Sequence, residues 1–101
     1  MIKLKDGTTI KDFHIQDCCE SVCADFEALE DTTFNPDDIT YETLEIDTNL
    51  DHGFIINGYF VPCYDIQNGY YSGNLELIIT KPNGEKECID ISDNTKIDYN
   101  Y

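Results

Sequence analysis

The sequence predicts an α+β fold: an antiparallel sheet of about five to six strands with one short helix near residues 17–30. Three observations predict it. Short apolar runs separated by Gly, Pro, Asn and Asp read as strands joined by turns. One segment, residues 17–30, carries apolar residues at helical spacing instead. Strands and the single helix follow one another in runs rather than in alternating β-α units, which favours an antiparallel sheet with the helix over one face. The chain has 101 residues, of which 41% are hydrophobic and 12% aromatic. That is enough for one modest core, so residues 1–101 are expected to form a single domain.

The elements follow in order. Ile2 and Leu4, Asp6-Gly7, and Thr8 to Ile15 predict a hairpin, because Asp-Gly readily takes the positive φ values of a type I′ turn. From Asp17 onward, Val22, Phe26 and Leu29 recur at i, i+4 and i+7 with acids on the other faces, which predicts the helix. Asp17 would be its N-cap, and Glu20 would complete a capping box. A competing reading has Ser21-Val22-Cys23 extended, since these residues are weak helix formers.

Asp31 to Asp38 is expected to be a loop, with Pro36 barring helix at Asn35. Ile39 to Asp47 alternates with a phase slip between Tyr41 and Leu44, which predicts a bulged strand. Gly53 to Val61 reads as one continuous apolar strand. Leu75 to Thr80, the Lys81-Pro82-Asn83-Gly84 turn and Glu85 to Ser92 make the clearest hairpin. The polar tail from Asp93 to Tyr101 is expected to fray at its end.

Charge is the most distinctive property. Asp and Glu total 21 against six Lys, a formal net charge of -15. Residues 12–80 hold 15 acids and no base, whereas residues 1–11 sum to +2 and residues 81–101 to -2. Such a field repels phosphates, so direct nucleic-acid binding and binding to anionic membranes are excluded, and encounter with basic surfaces is accelerated. A generic soluble surface intersperses both signs, and a long base-free stretch destabilises the compact state by self-repulsion. The missing countercharge points to a function that uses the field, and Glu27, Glu30, Asp31, Asp37 and Asp38 are the candidate partner-binding residues. No apolar run approaches the roughly 18 residues of a membrane span. The N-terminus is charged from Lys3 without an apolar stretch, which predicts no secretory signal and a cytosolic location.

Five Cys in a reducing compartment are expected to be mostly free thiols or metal ligands. The densest chemistry is His14-Ile15-Gln16-Asp17-Cys18-Cys19-Glu20-Ser21-Val22-Cys23, where His, Asp and three Cys offer the soft and borderline donors of a tetrahedral zinc site. His14, Asp17, Cys18 and Cys19 are the candidate ligands, with Cys23 or Cys63 as replacements. The spacing lacks the Cys-x-x-Cys pair of zinc fingers, and a buried Cys also serves as a small hydrophobe. A Cys-His nucleophile, with Cys18 or Cys19 attacking and His14 as base, is disfavoured by the surrounding acids, because a reactive thiolate wants an electropositive setting. The Asn68-Gly69-Tyr70-Tyr71-Ser72-Gly73 segment reads as a turn presenting two aromatics, for packing or for a partner.

Two words of the sequence together resemble a family of small phage and prophage proteins. These are His14-x-x-Asp17-Cys18-Cys19-Glu20-Ser21-Val22 and, about 45 residues later, Asn68-Gly69-Tyr70-Tyr71-Ser72. The small size, acidity and Arg-free composition are similar to anti-CRISPR proteins of phages infecting low-GC Gram-positive hosts. The resemblance implies a non-catalytic protein of the host cytoplasm that binds a type II CRISPR nuclease and keeps target DNA out. It also implies a structural zinc, which would suit His14 and the Cys18-Cys19 pair. Two other readings stay open: a small metal- or thiol-dependent enzyme, and a structural or regulatory phage protein whose acidity serves solubility.

Overall fold

The computed structural model describes residues 1–14, 21–67 and 74–99. Within them nine strands alternate with short turns: β1 (Ile2–Lys3), β2 (Thr9–Phe13), β3 (Ser21–Ala24), β4 (Ile46–Asp47), β5 (Gly53–Ile56), β6 (Tyr59–Gln67), β7 (Glu76–Thr80), β8 (Lys86–Asp90) and β9 (Lys96–Tyr99). They form two sheets. The first has the order β1-β2-β7-β8 and is antiparallel throughout. The second has the order β3-β6-β5-β4, and β9 adds to β6 in parallel. β6 is long enough to hold several partners: its first half pairs with β5 and its second half with β3 on one edge and β9 on the other.

Both predicted outer hairpins form, and their turns share one chemistry. In the first, the Gly7 N–H donates to Leu4 O at 3.1 Å and the Leu4 N–H to Thr8 O at 2.7 Å. In the other, Gly84 donates to Lys81 O at 2.9 Å and Lys81 to Glu85 O at 2.8 Å. Only the glycine has positive φ in each, +94° at Gly7 and +92° at Gly84, so both are type I turns closed by a left-handed glycine rather than type I′ turns. The type I′ turn lies elsewhere. Asn57 (φ +47°) and Gly58 (φ +85°) join β5 to β6, so the run read as one strand from Gly53 to Val61 is two strands folded back on each other.

The predicted helix over residues 17–30 is not what the described part of that segment forms. Ser21–Ala24 is a strand whose residues alternate exposed and buried, with Val22 and Ala24 inward. It pairs with Cys63–Ile66 of β6. Phe26–Leu29 is a single 3-10 turn. Pairing with the open edge of β6 overrides a weak helical propensity, and a strand followed by a tight turn still carries Val22, Phe26 and Leu29 to the core side. Residues 17–20 of the predicted helix lie outside the described residues. Among the described residues the helical segments are three short 3-10 turns, at Phe26–Leu29, Pro36–Asp38 and Ser92–Asn94, so the architecture is mostly antiparallel β rather than α+β.

Two further findings concern strands. Of the predicted strand from Ile39 to Asp47 only Ile46–Asp47 is a strand. The phase slip marks a turn: Thr43 N–H donates to Thr40 O at 3.1 Å and Thr40 N–H to Thr43 Oγ1 at 2.9 Å. Within the tail, Lys96–Tyr99 is strand β9 alongside β6, and the end expected to fray, residues 100–101, lies outside the described residues.

One apolar core draws on both sheets. Ile2, Ile10, Leu77 and Ile79 come from the first, and Val22, Phe54, Ile56, Val61 and Cys63 from the second, closed over by Leu29, Ile39, Leu75 and Ile91. Asn94 is buried among them. Its side-chain amide donates to the carbonyls of Thr48 at 2.6 Å and Leu50 at 2.9 Å, which pins the loop that leads into β5. At Gly53 a Cβ would stand 2.3 Å from the Val61 carbonyl oxygen, so the β5–β6 pairing requires glycine there.

Candidate functional site

The acidic candidates sit on the segment that leaves β3. Asp25 N–H donates to Pro62 O at 2.8 Å, and Leu29 is buried, which seats the first 3-10 turn on β6. Thr32 Oγ1 then donates to Leu29 O at 2.6 Å and closes it. Asn35 caps the second turn by accepting the Asp37 N–H through Oδ1 at 3.1 Å, with Pro36 at the first helical position where its missing N–H costs nothing.

Between them these anchors turn Glu27, Glu30, Asp31, Asp37 and Asp38 outward, and all five are exposed. None of them makes an ion pair among the described residues. The described ion pairs, Lys81 with Glu85 at 3.5 Å and with Glu87 at 3.4 Å, are on the other sheet. Asp38 accepts a hydrogen bond from Asn35 Nδ2 at 3.2 Å.

Two of these acids, Glu27 and Glu30, border an open groove of about 400 Å³ that runs between the two turns and the start of β1. Phe26, Leu29, Phe34 and Met1 line it beside Glu27 and Glu30, and Lys3 lines it too. The aromatic wall is firmly built: Phe26 meets Phe54 edge-on with ring centroids 6.2 Å apart, and Phe34 meets Tyr59 at 5.5 Å. The surface therefore offers negative charge around a partly apolar floor.

Charge is segregated in space as well as along the chain. The β1-β2-β7-β8 registers place Lys3, Lys11 and Lys86 on the same outward face of the first sheet, and all three are exposed. The net negative field therefore emanates from the second sheet and the loops around it.

Of the candidate zinc ligands, His14 is described, and Asp17, Cys18 and Cys19 lie outside the described residues. His14 Nδ1 is 2.7 Å from the Asn74 carbonyl oxygen, so Nδ1–H is the donor there. Donation of one ring N–H to a backbone carbonyl is an arrangement that metal-binding histidines commonly adopt. Nε2 itself is shielded from solvent. Among the described residues no three His, Cys, Asp or Glu side chains gather to hold a metal ion. The two proposed replacements are free thiols in different settings, Cys23 exposed and Cys63 buried. Burial, then the charge of Asp12, pushes the Cys63 thiol up to about 12. Burial, Asp12 and Asp25 in that order push Cys23 up as well. Both are held as thiols at neutral pH. The Tyr70-Tyr71 turn lies outside the described residues.

Three polar features were not singled out from sequence. Asp65, on β6 opposite Val22, is the only buried charged side chain among the described residues, at 4% exposure. Asp12 faces inward from β2 and accepts the Ala24 N–H through Oδ2 at 3.0 Å. Tyr41 donates its hydroxyl to Glu87, which holds the Glu87 carboxyl below its usual range and pushes the Tyr41 phenol up, and Lys81 lies 4.6 Å over the Tyr41 ring. Each is recognisable only from the sheet registers, because its partner is far away in sequence.

No helix among the described residues is long and apolar enough to cross a membrane. No protein family, curated protein or solved structure matches the chain.

Proposed function

We propose that the chain is a non-catalytic binding protein that occupies a basic, nucleic-acid-binding surface of an enzyme and excludes the nucleic acid, with a type II CRISPR nuclease as the target. One observation carries the reading: Glu27, Glu30, Asp31, Asp37 and Asp38 are all exposed and without an ion pair among the described residues, and Glu27 and Glu30 line an aromatic-floored groove. Exposed carboxylates on two short 3-10 turns and the segment between them present negative charge much as a phosphate backbone does. A channel lined with Lys and Arg has complementary potential, and its occupation by protein blocks its normal ligand. Phe26 and Phe34 supply the apolar contact that gives such an interface residence time, since rim charges act mainly on encounter. The choice of nuclease rests on charge and on the likeness of the small, acidic, Arg-free composition to anti-CRISPR proteins, whereas the His14 to Val22 and Asn68 to Ser72 words resemble only a family of phage and prophage proteins.

Within this proposal a zinc bound by His14, Asp17, Cys18 and Cys19 is structural, and Cys23 or Cys63 would serve only where one of the four points away. It would tie the end of β2 to the segment entering β3, and its binding free energy would count as folding free energy.

The test is size-exclusion chromatography of the protein mixed with guide-loaded type II nuclease at low and high salt. Co-elution that weakens at high salt supports the reading, because surface charge pairs are screened beyond about 8 Å at physiological ionic strength. Absence of a complex at either salt, across a panel of type II nucleases, overturns the choice of target.

A further inference from the structure

β8 is an edge strand with an unused hydrogen-bonding side. Lys81 N–H donates to Glu85 O at 2.8 Å and Ile91 N–H to Leu75 O at 2.9 Å. The alternation of an antiparallel ladder between these two points turns the backbone groups of Glu87 and Ile89 toward β7, and those of Lys86, Cys88 and Asp90 away from it. No described strand pairs with that outer side. Lys86, Cys88 and Asp90 are exposed, and their side chains share the outward face of the sheet.

We propose that β8 is a self-association edge, along which a second copy of this chain pairs antiparallel about a twofold axis through Cys88. The argument for a second copy is charge complementarity. With the axis at Cys88, Lys86 of each chain lies directly across from Asp90 of the other, on the same face, and Cys88 lies across from Cys88. Opposite charges in directly opposed cross-strand positions attract and like charges repel.

The alternative twofold registers lose this match. An axis at Lys86, Glu87 or Asp90 sets a residue against its own like charge, and an axis at Ile89 leaves Lys86 without a carboxylate. The residues whose backbone groups point outward are also those the Cys88 register opposes, so Cys88 with Cys88 and Lys86 with Asp90 all become hydrogen-bonded pairs.

Both charged groups are ready for the contact. Lys86 has no ion pair within its own chain among the described residues. Asp90 Oδ1 accepts the Ser92 N–H at 2.9 Å, which orients the carboxylate and leaves Oδ2. Edge strands are ordinarily guarded by charges that repel a copy of themselves. Here the spacing of one Lys and one Asp about a central Cys is self-complementary instead. Lys3 and Lys11 on the same face of the sheet moderate the repulsion between two chains of net charge -15.

Sedimentation equilibrium of the full chain and of Lys86→Glu and Asp90→Lys variants tests this, with circular dichroism to confirm folding. The parent should show a concentration-dependent dimer. Each single variant places like charges across the axis and should weaken the dimer about tenfold. Mixing the two variants restores opposite charges at both positions, so the heterodimer should form as well as the parent dimer. A short bismaleimide should cross-link the parent, and Cys88→Ser should abolish the cross-link, since Cα atoms in a hydrogen-bonded pair stand only about 5.5 Å apart. A parent that stays monomeric up to near-millimolar concentration overturns the proposal. So does a dimer indifferent to both variants, or a cross-link that survives Cys88→Ser.

Discussion

Asp12 accepts the Ala24 backbone N–H at 3.0 Å, and this bond ties β2 of the first sheet to the edge strand β3 of the second. The same carboxylate raises the pKa of two thiols, Cys23 and Cys63. Asp12→Asn keeps an acceptor but removes the charge. It should lower the Cys23 pKa, so that alkylation of Cys23, followed by peptide mass mapping, reaches half its maximal rate at lower pH than in the parent. Asp12→Ala also strands the Ala24 N–H and should cost about 1–3 kcal/mol in a denaturant titration.

Cys63 gives a pH dependence of known sign. Its ordinary value is 9.0 and its folded value about 12, so the folded state keeps a proton that the unfolded state has lost. Below pH 9 both states are protonated and the titration of the group has no effect on stability. Stability is then lost as pH rises from 9 toward 12. Cys63→Ala should be less stable than the parent at neutral pH, because it leaves a cavity in a fully buried site. The gap between the two proteins should narrow as pH climbs through this window. A gap that stays constant contradicts the assignment.

Gly53 is fixed by close approach. A methyl group at this position meets the Val61 carbonyl and the Phe60 ring, at 2.3 and 2.7 Å. Gly53→Ala should therefore destabilise by about 1–3 kcal/mol by thermal or chemical unfolding. Gly58→Ala meets no neighbour but forces a left-handed backbone on a residue with a side chain.

If zinc is bound as proposed, protein purified without chelator should carry about one equivalent by elemental analysis. His14→Ala combined with Cys19→Ser should lower both the metal content and the melting temperature. Metal content far below one equivalent in the parent contradicts the proposal.

What could be read in the sequence divides by range. The hairpins around Gly7 and Gly84 were legible because their chemistry is local, and Leu77, Ile79 and Ile10 follow the period of two that a half-buried strand requires. Asn57-Gly58 was a local signal that the apolar residues on both sides masked. The spacing of Val22, Phe26 and Leu29 fits a helix and also fits a strand followed by a 3-10 turn. Only the open edge of β6 decides between them, and no local pattern announces that edge. β9 likewise depends on a parallel partner some 30 residues earlier in the chain. Of the candidate sites, the exposure of the five acids followed directly from their sequence setting. The placement of Glu27 and Glu30 on a groove floored by Phe26 and Phe34 did not, because it needs the two turns to be brought together by β6 and β1.

The central claim, that the acidic surface does the binding, is tested most directly by target-DNA cleavage with a guide-loaded type II nuclease. The parent is compared with a variant in which Glu27 and Glu30 are changed to Gln and Asp31, Asp37 and Asp38 to Asn. Removing five like charges relieves self-repulsion, so the variant should melt at or above the parent temperature, and any lost inhibition is not a folding defect. The account predicts that the parent inhibits strongly at low salt and less at high salt, while the neutralised variant associates more slowly and inhibits weakly at both. Equal inhibition by the two proteins at every salt concentration would contradict it.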